Sequence, residues 1–314
     1  MNLLKKLFKE DDNFGVVLVQ SRDFDMIGVQ HFEQIFRLDI DNLLKPKPLL
    51  TQADPFLFVK GDTLFLFYES ERSGDRGEIR MTKTSDLQKW SFPVTVLRES
   101  FHLSFPFVFE FRGGIYMIPE SQADDSIRLY KGNEDLTSFS LERVLMKKAR
   151  TEDVSFNFCD SHLLFKDGVF YLFTSVSYRW TYHLELYYTD DILTHDFVKH
   201  PQSPVYVGND FGRCGGSVIH FDDNYYRISQ NCSESYGGNV SIHRILTLDQ
   251  NAYREELYMK DILDVGKEPY EDGGHQLNVV RFGDGYIYAT DFRKVSWCWY
   301  QLYLRLKKLL RCNT

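Results

Sequence analysis

Residues Ala53–Glu69 read ADPFLFVKGDTLFLFYE: two apolar, aromatic-rich runs on either side of Lys60-Gly61-Asp62. Gly and Asp tolerate the positive φ that a two-residue hairpin loop needs, so the stretch predicts a β-hairpin. It opens on a carboxylate, Asp54, directly before Pro55. Asp before Pro is a common turn starter. The alternative is an acid aimed at a ligand.

The same grammar returns four times. Ser104–Ser121, Cys159–Ser175, Gly215–Gln230 and Gly274–Asp291 each lead from a small or polar start into an apolar run, a tight turn and an aromatic strand. Their turns are Arg112-Gly113-Gly114, Lys166-Asp167-Gly168, Asp222-Asp223-Asn224 and Gly283-Asp284-Gly285. The units recur at roughly 50 to 60 residues, room for four strands each, which is the period of a propeller blade. Gly77–Trp90, Ser126–Asn133, His183–Ile192 and Asn239–Asp249 read as the outer strands that follow. The fold predicted is all-β, a five-bladed β-propeller over residues 50–295. A sandwich of many short strands is the competing architecture, and the regular period argues against it.

Two flanking segments complete the division. Residues 1–49 form an amino-terminal segment closing onto the propeller, and residues 296–314 a basic amphipathic tail. Met1–Lys9 and Trp299–Arg311 both mix Leu and aromatics with Lys and Arg. Each reads as a short basic helix, either touching a membrane surface or packed on the propeller rim.

Composition narrows the function. The 314 residues include 26 Phe and 19 Tyr, ample for a strand-built core. A net charge of −8 argues against nucleic acid as a partner. The five cysteines are scattered and no CxxC occurs, so neither a disulfide framework nor structural zinc is expected. The nine histidines lack HxxxH spacing, and the chain has no GxGxxG, P-loop or GxSxG. No cofactor or metal is predicted. Neither a long apolar run nor a signal-peptide pattern is present, so the expected location is the cytoplasm, with peripheral contact at the inner membrane through the basic termini.

In a propeller the inner strand of each blade lines a central funnel, and the strand starts crowd one mouth. Asp54, Ser104, Asp160, Gly215–Ser217 and His275 fall there. Paired carboxylates facing one cavity are what glycoside hydrolysis uses. Asp54, Asp160 and Glu120 are therefore the catalytic candidates. Glu69 and Glu120 interrupt apolar runs just past the aromatic strands, where they wall the pocket or cap strand ends. Arg213, before Cys214-Gly215-Gly216, either grips an anion or pairs with an inner acid. Gln230 and His275 are candidate sugar-hydroxyl partners. Tyr178, Trp180, Tyr182 and above all Tyr236 are candidates for stacking on a sugar ring.

ADPFLF with its hairpin resembles the first-blade signature of glycoside hydrolase family 43. FYE, GEI, HLSFPFVFE, YMIPES, HPQSPV, RCGGSV, YRISQ and YGGNVSIHRI add a closer resemblance over about residues 50 to 260. They are similar to the amino-terminal propeller of glucosamine inositolphosphorylceramide transferase-type proteins. The family 43 resemblance implies a general base at Asp54. It also implies an Asp in the second blade and a Glu-Gly-Pro acid motif in the third. Here those regions read Ser104-Phe105-Pro106 and Cys159-Asp160-Ser161-His162, so only Asp54 transfers and Asp160 stands in for the acid.

The expected function is a carbohydrate-active enzyme of glycan metabolism, making or breaking a glycosidic bond of a carbohydrate or a nucleotide- or lipid-linked sugar. The alternatives are a non-catalytic sugar-binding propeller that positions a partner enzyme, and a scaffold for protein partners.

Overall fold

The computed structural model describes residues 10–26, 29, 32–148 and 157–311. The expected helix at Met1–Lys9 lies outside them. Near the amino end are β1 (Asp11–Ser21) and β2 (Glu33–Leu38). The first blade follows as β3 (Leu49–Lys60), β4 (Thr63–Arg72), β5 (Glu78–Thr84) and β6 (Val94–Leu97). The second is β7 (Ser104–Phe111), β8 (Gly114–Ser121), β9 (Ser126–Gly132) and β10 (Phe139–Lys147). The third runs through β11 (Asn157–Lys166), β12 (Val169–Tyr178), β13 (Thr181–Thr189), β14 (Val198–Lys199) and β15 (Tyr206–Val207). The fourth comprises β16 (Arg213–Cys214), β17 (Ile219–Phe221), β18 (Asn224–Asn231), β19 (Asn239–Leu248) and β20 (Tyr253–Met259). The last hairpin is β21 (Leu277–Phe282) and β22 (Gly285–Ser296), followed by a helix at Trp299–Arg311.

All five predicted turns join antiparallel strands. In Arg112-Gly113 and Asp167-Gly168 both loop residues have positive φ, as a primed turn requires. Among the described residues no strand follows the last hairpin. Its outer strands come from the front of the chain: β1 lies antiparallel along β22 from Asp11↔Ser296 to Ser21↔Tyr286, and β2 adds to β1.

The core lies between neighbouring sheets. Phe65, Met81, Val108 and Met117 fill the space between the first and second blades, and Val17, Ile228, Ile242 and Tyr288 that between the fourth and last. The inner strands close a ring. β3 packs on β7 and β21, β11 packs on β7 and β16, and Leu277 N donates to Gly215 O. At Gly216 (φ +151°) a Cβ would sit 2.0 Å from Leu277 O, so this contact requires glycine.

Candidate functional site

One irregularity recurs on the inner strands. Ala53 pairs with Glu69 and Phe56 with Phe67, so one extra residue is inserted between them. Ser104/Glu120 to Phe107/Ile118 and Cys159/Ser175 to His162/Phe173 repeat the insertion. The residue after each bulge start has a left-handed backbone: Asp54 (φ 52°), Phe105 (45°) and Asp160 (49°). Such a conformation costs a non-glycine residue about 1–3 kcal/mol and recurs where a side chain is re-aimed at a functional site. The second strand of each blade adds a polar residue at the matching level: Glu69, Glu120, Ser175, Gln230 and Asp291.

The two sets meet. Asp54 Oδ2 accepts from Phe105 N at 3.1 Å, and Asp54 N donates to Asp291 Oδ2 at 3.2 Å. His275 Nδ1 lies 2.5 Å from Asp291 Oδ2 and 3.9 Å from Asp54 Oδ1. On the other side, Arg213 Nε donates to Asp160 Oδ2 at 2.5 Å and Gln230 Nε2 donates to the same oxygen at 3.0 Å. Asp160 N donates to Glu120 Oε2 at 3.1 Å, with Arg213 Nη2 3.9 Å from that carboxylate. Arg213 also donates to Tyr182 Oη at 2.9 Å, and its guanidinium lies 4.9 Å from the Tyr236 ring centroid. Glu69 Oε1 is 3.2 Å from His102 Nε2.

Asp54, Glu69, Glu120, Asp160, Arg213, Gln230, Tyr236 and His275 thus belong to one cluster, though in roles different from free contact with solvent. His275 is buried and stacked on Phe14 at 4.5 Å, with Tyr236 edge-on at 5.2 Å. Gln230 is spent on Asp160 and on Cys214 O. Tyr236 is 38% exposed and forms the cover; Trp180 projects into solvent. Asp291, His102 and Phe14 went unread in the sequence. Asp291 carried a signal: YATD places it as FYE places Glu69 and IPE places Glu120.

The cluster is buried and its acids outnumber its cations, so it retains protons. Burial, helped by the charges of Glu69, Asp160 and Asp291, outweighs the pull of His275 and raises Asp54 to about 8. Burial and then the charge of Asp160 raise Glu120 well above its ordinary range, although Arg213 opposes them. Burial disfavours the charge on His275, but Asp291 outweighs it and the ring rises to about 9. Among the described residues two sets of side chains bring ligand atoms within 4.8 Å of one another, Asp54–His275–Asp291 and Glu69–Glu71–His102. Either has the donors for a divalent cation. In the first, the His275–Asp291 contact already supplies a positive partner.

These shifts predict a pH dependence of stability. Unfolded, Asp54 releases its proton near its ordinary value of 3.8; folded, it keeps it to about 8. Rising pH across that window therefore favours the unfolded chain. His275 acts in the same direction: its extra stabilisation is full below its ordinary 6.5 and is lost as pH rises through about 9. The melting temperature of Asp54→Asn, followed by scanning fluorimetry, is expected to fall less between pH 5 and pH 8 than that of the parent. Equal slopes would exclude Asp54 as the titrating group.

Residues 46–286 match the family described as glucosamine inositolphosphorylceramide transferase 1, N-terminal. The chain belongs to this family. The rice (Oryza sativa subsp. japonica) glucosamine inositolphosphorylceramide transferase 1 is 34% identical over 241 residues, which cover 73% of this chain and 30% of the rice protein. The Arabidopsis thaliana protein of the same name is 34% identical over 211 residues, 65% of this chain and 26% of that one. The chain thus spans under a third of the curated relatives it matches. Among solved structures, the Coprinopsis cinerea family 62 α-L-arabinofuranosidase catalytic domain aligns with a TM-score of 0.56 at 10% identity, covering 80% of this chain and 96% of that one. A family 117 glycoside hydrolase of Zobellia galactanivorans aligns at 0.53 and 12% identity, covering 78% and 85%. These likenesses show the fold, an all-β propeller shared with glycoside hydrolases.

Proposed function

We propose that the acid cluster carries out glycosyl-bond chemistry, with Asp54 as proton donor and the Arg213-clamped Asp160 as the anionic partner. One observation carries this reading: two carboxyls in one cluster are held in opposite environments. Asp54 is buried among acids and keeps its proton near neutrality, while Asp160 sits in an ion pair. A carboxyl that keeps its proton is suited to proton donation, and one paired with a guanidinium to balancing positive charge. The base role that the family 43 resemblance implies for Asp54 requires an ionised carboxylate, which burial and three neighbouring acids oppose. Glu120, also held up by burial, is the reserve donor. Membership of a family named for a glycosyltransferase supports a sugar substrate, and a nucleotide- or lipid-linked sugar is the donor class proposed.

A second reading has its own support. Both oxygens of Asp54 and one of Asp160 are engaged by internal partners, and the relatives are more than three times longer than the shared region. A propeller that binds sugar and presents it to a second enzyme fits those facts. A screen of activated aryl glycosides and nucleotide sugars separates the two. Release or transfer of sugar, with a bell-shaped pH profile, is the expected result. Binding by calorimetry without turnover of any of them would leave the binding module standing.

A further inference from the structure

We propose that the carboxy-terminal helix seats the propeller on an anionic lipid surface through Trp299, Tyr303, Leu306 and Leu310. These four side chains are 61%, 50%, 42% and 70% exposed. Their spacing of four, three and four residues places them within about 60° of the helix circumference and along about 16 Å of its length. The opposite face is occupied: Tyr300 and Leu304 pack at Gly74, and Arg305 pairs with Asp11. The helix is therefore fixed to the propeller with its aromatic stripe outward. An apolar hollow of about 200 Å³, lined by Trp297, Cys298, Trp299 and Leu302, extends the stripe.

Charge selects the occupant. Trp297–Arg311 contains Arg305, Lys307, Lys308 and Arg311 and no acid, on a chain whose net charge is −8. Lys307 and Lys308 are exposed, and the Lys307 ammonium lies 5.8 Å from the Tyr303 ring centroid. Trp and Tyr beside Lys are the side chains that settle at the headgroup level, with the rings in the acyl boundary and the ammonium of Lys307, which flanks the stripe, at the phosphates. The rest of the acidic surface is repelled by the same lipids, so docking fixes one orientation. The helix lies on the surface: it has 13 residues, and among the described residues no helix is long and apolar enough to cross a membrane.

The test is sedimentation of the full chain with vesicles of phosphatidylcholine containing a minority of phosphatidylglycerol. Binding is expected at low salt, with a blue shift of tryptophan emission. High salt or pure phosphatidylcholine should weaken it. Trp299→Ser/Tyr303→Ser/Leu306→Ser/Leu310→Ser is expected to abolish binding at an unchanged melting temperature. Lys307→Gln/Lys308→Gln, which disturbs no packing, should lower affinity about tenfold or more. A parent protein that ignores anionic vesicles at low salt overturns the proposal, as does undiminished binding by Lys307→Gln/Lys308→Gln. So does a concentration-dependent dimer, lost in the four-serine variant, in a protein that binds no vesicles. That result would assign the stripe to a second copy of the chain.

Discussion

Asp54→Asn is expected to lower the rate of sugar turnover by about 10²- to 10⁴-fold, the usual contribution of a positioned proton donor. The substitution keeps the size of the side chain. The amide oxygen still accepts from Phe105 N, the bond that ties the first blade to the second. What disappears is an ionisable proton in a pocket shared with Glu69, Asp160 and Asp291. The folded protein already holds Asp54 neutral near pH 7, so a neutral amide costs the fold little, and the melting temperature should hold or rise. The alkaline limb of the pH–rate profile, set by loss of the Asp54 proton near pH 8, should vanish from any residual activity. A normally folded Asp54→Asn protein with parental turnover would remove Asp54 from the mechanism.

The second large effect falls on stability. Arg213→Met keeps the aliphatic stem of the side chain and removes the permanent cation beside Asp160 and Glu120. The hydrogen bond to Tyr182 and the contacts over the Tyr182 and Tyr236 rings go with it. Removing one partner of a buried ion pair leaves a charge without compensation, at a cost of about 3–5 kcal/mol. Urea denaturation at pH 7 should show that loss. It should shrink at lower pH, because a carboxyl stripped of its cation takes up a proton more readily and no longer carries buried charge. Asp160→Asn added to Arg213→Met should restore most of the stability, since the two residues are in contact and their effects are not additive. A loss below about 1 kcal/mol for the single variant would mean that solvent reaches the acids freely.

The hairpins were legible in the sequence because they rest on local chemistry. Gly61, Gly113, Asp167-Gly168 and Gly283 announce turns that depend on their own φ values and on nothing distant. The outer strands followed from the same period. The site was legible only by analogy between repeats. Asp54 and Asp160 were readable because each heads an apolar run that has no need of an acid. Asp291 lies within β22, after an apolar run instead of before one, and a search of run starts passes over it. The bulge at Phe105 was invisible for a different reason: a Phe in an apolar strand reads as core, and its left-handed backbone follows from fitting the ring of blades together. His102 lies between strands and reaches Glu69 only through the packing of two blades. The ion pair of Arg213 with Asp160 spans 53 residues, so the sequence could pose the choice between anion grip and internal partner without deciding it.

The pairing of β1 with β22 sets the timetable of folding. Val16, Val17 and Leu18 leave the ribosome more than 260 residues before their neighbours Asp291, Thr290 and Ala289. At about 5–20 residues per second the first strand waits roughly 13 to 50 seconds for its mate. Until then its apolar faces and unpaired amides are an open edge, which other strands can join wrongly. The ring latches only when the last hairpin arrives, and Asp291, the acid beside His275, arrives on that same strand. Assembly of the chemical centre and closure of the ring are therefore one event: a nascent chain that stops short of His275 carries Asp54 without the carboxylate and the imidazole that flank it.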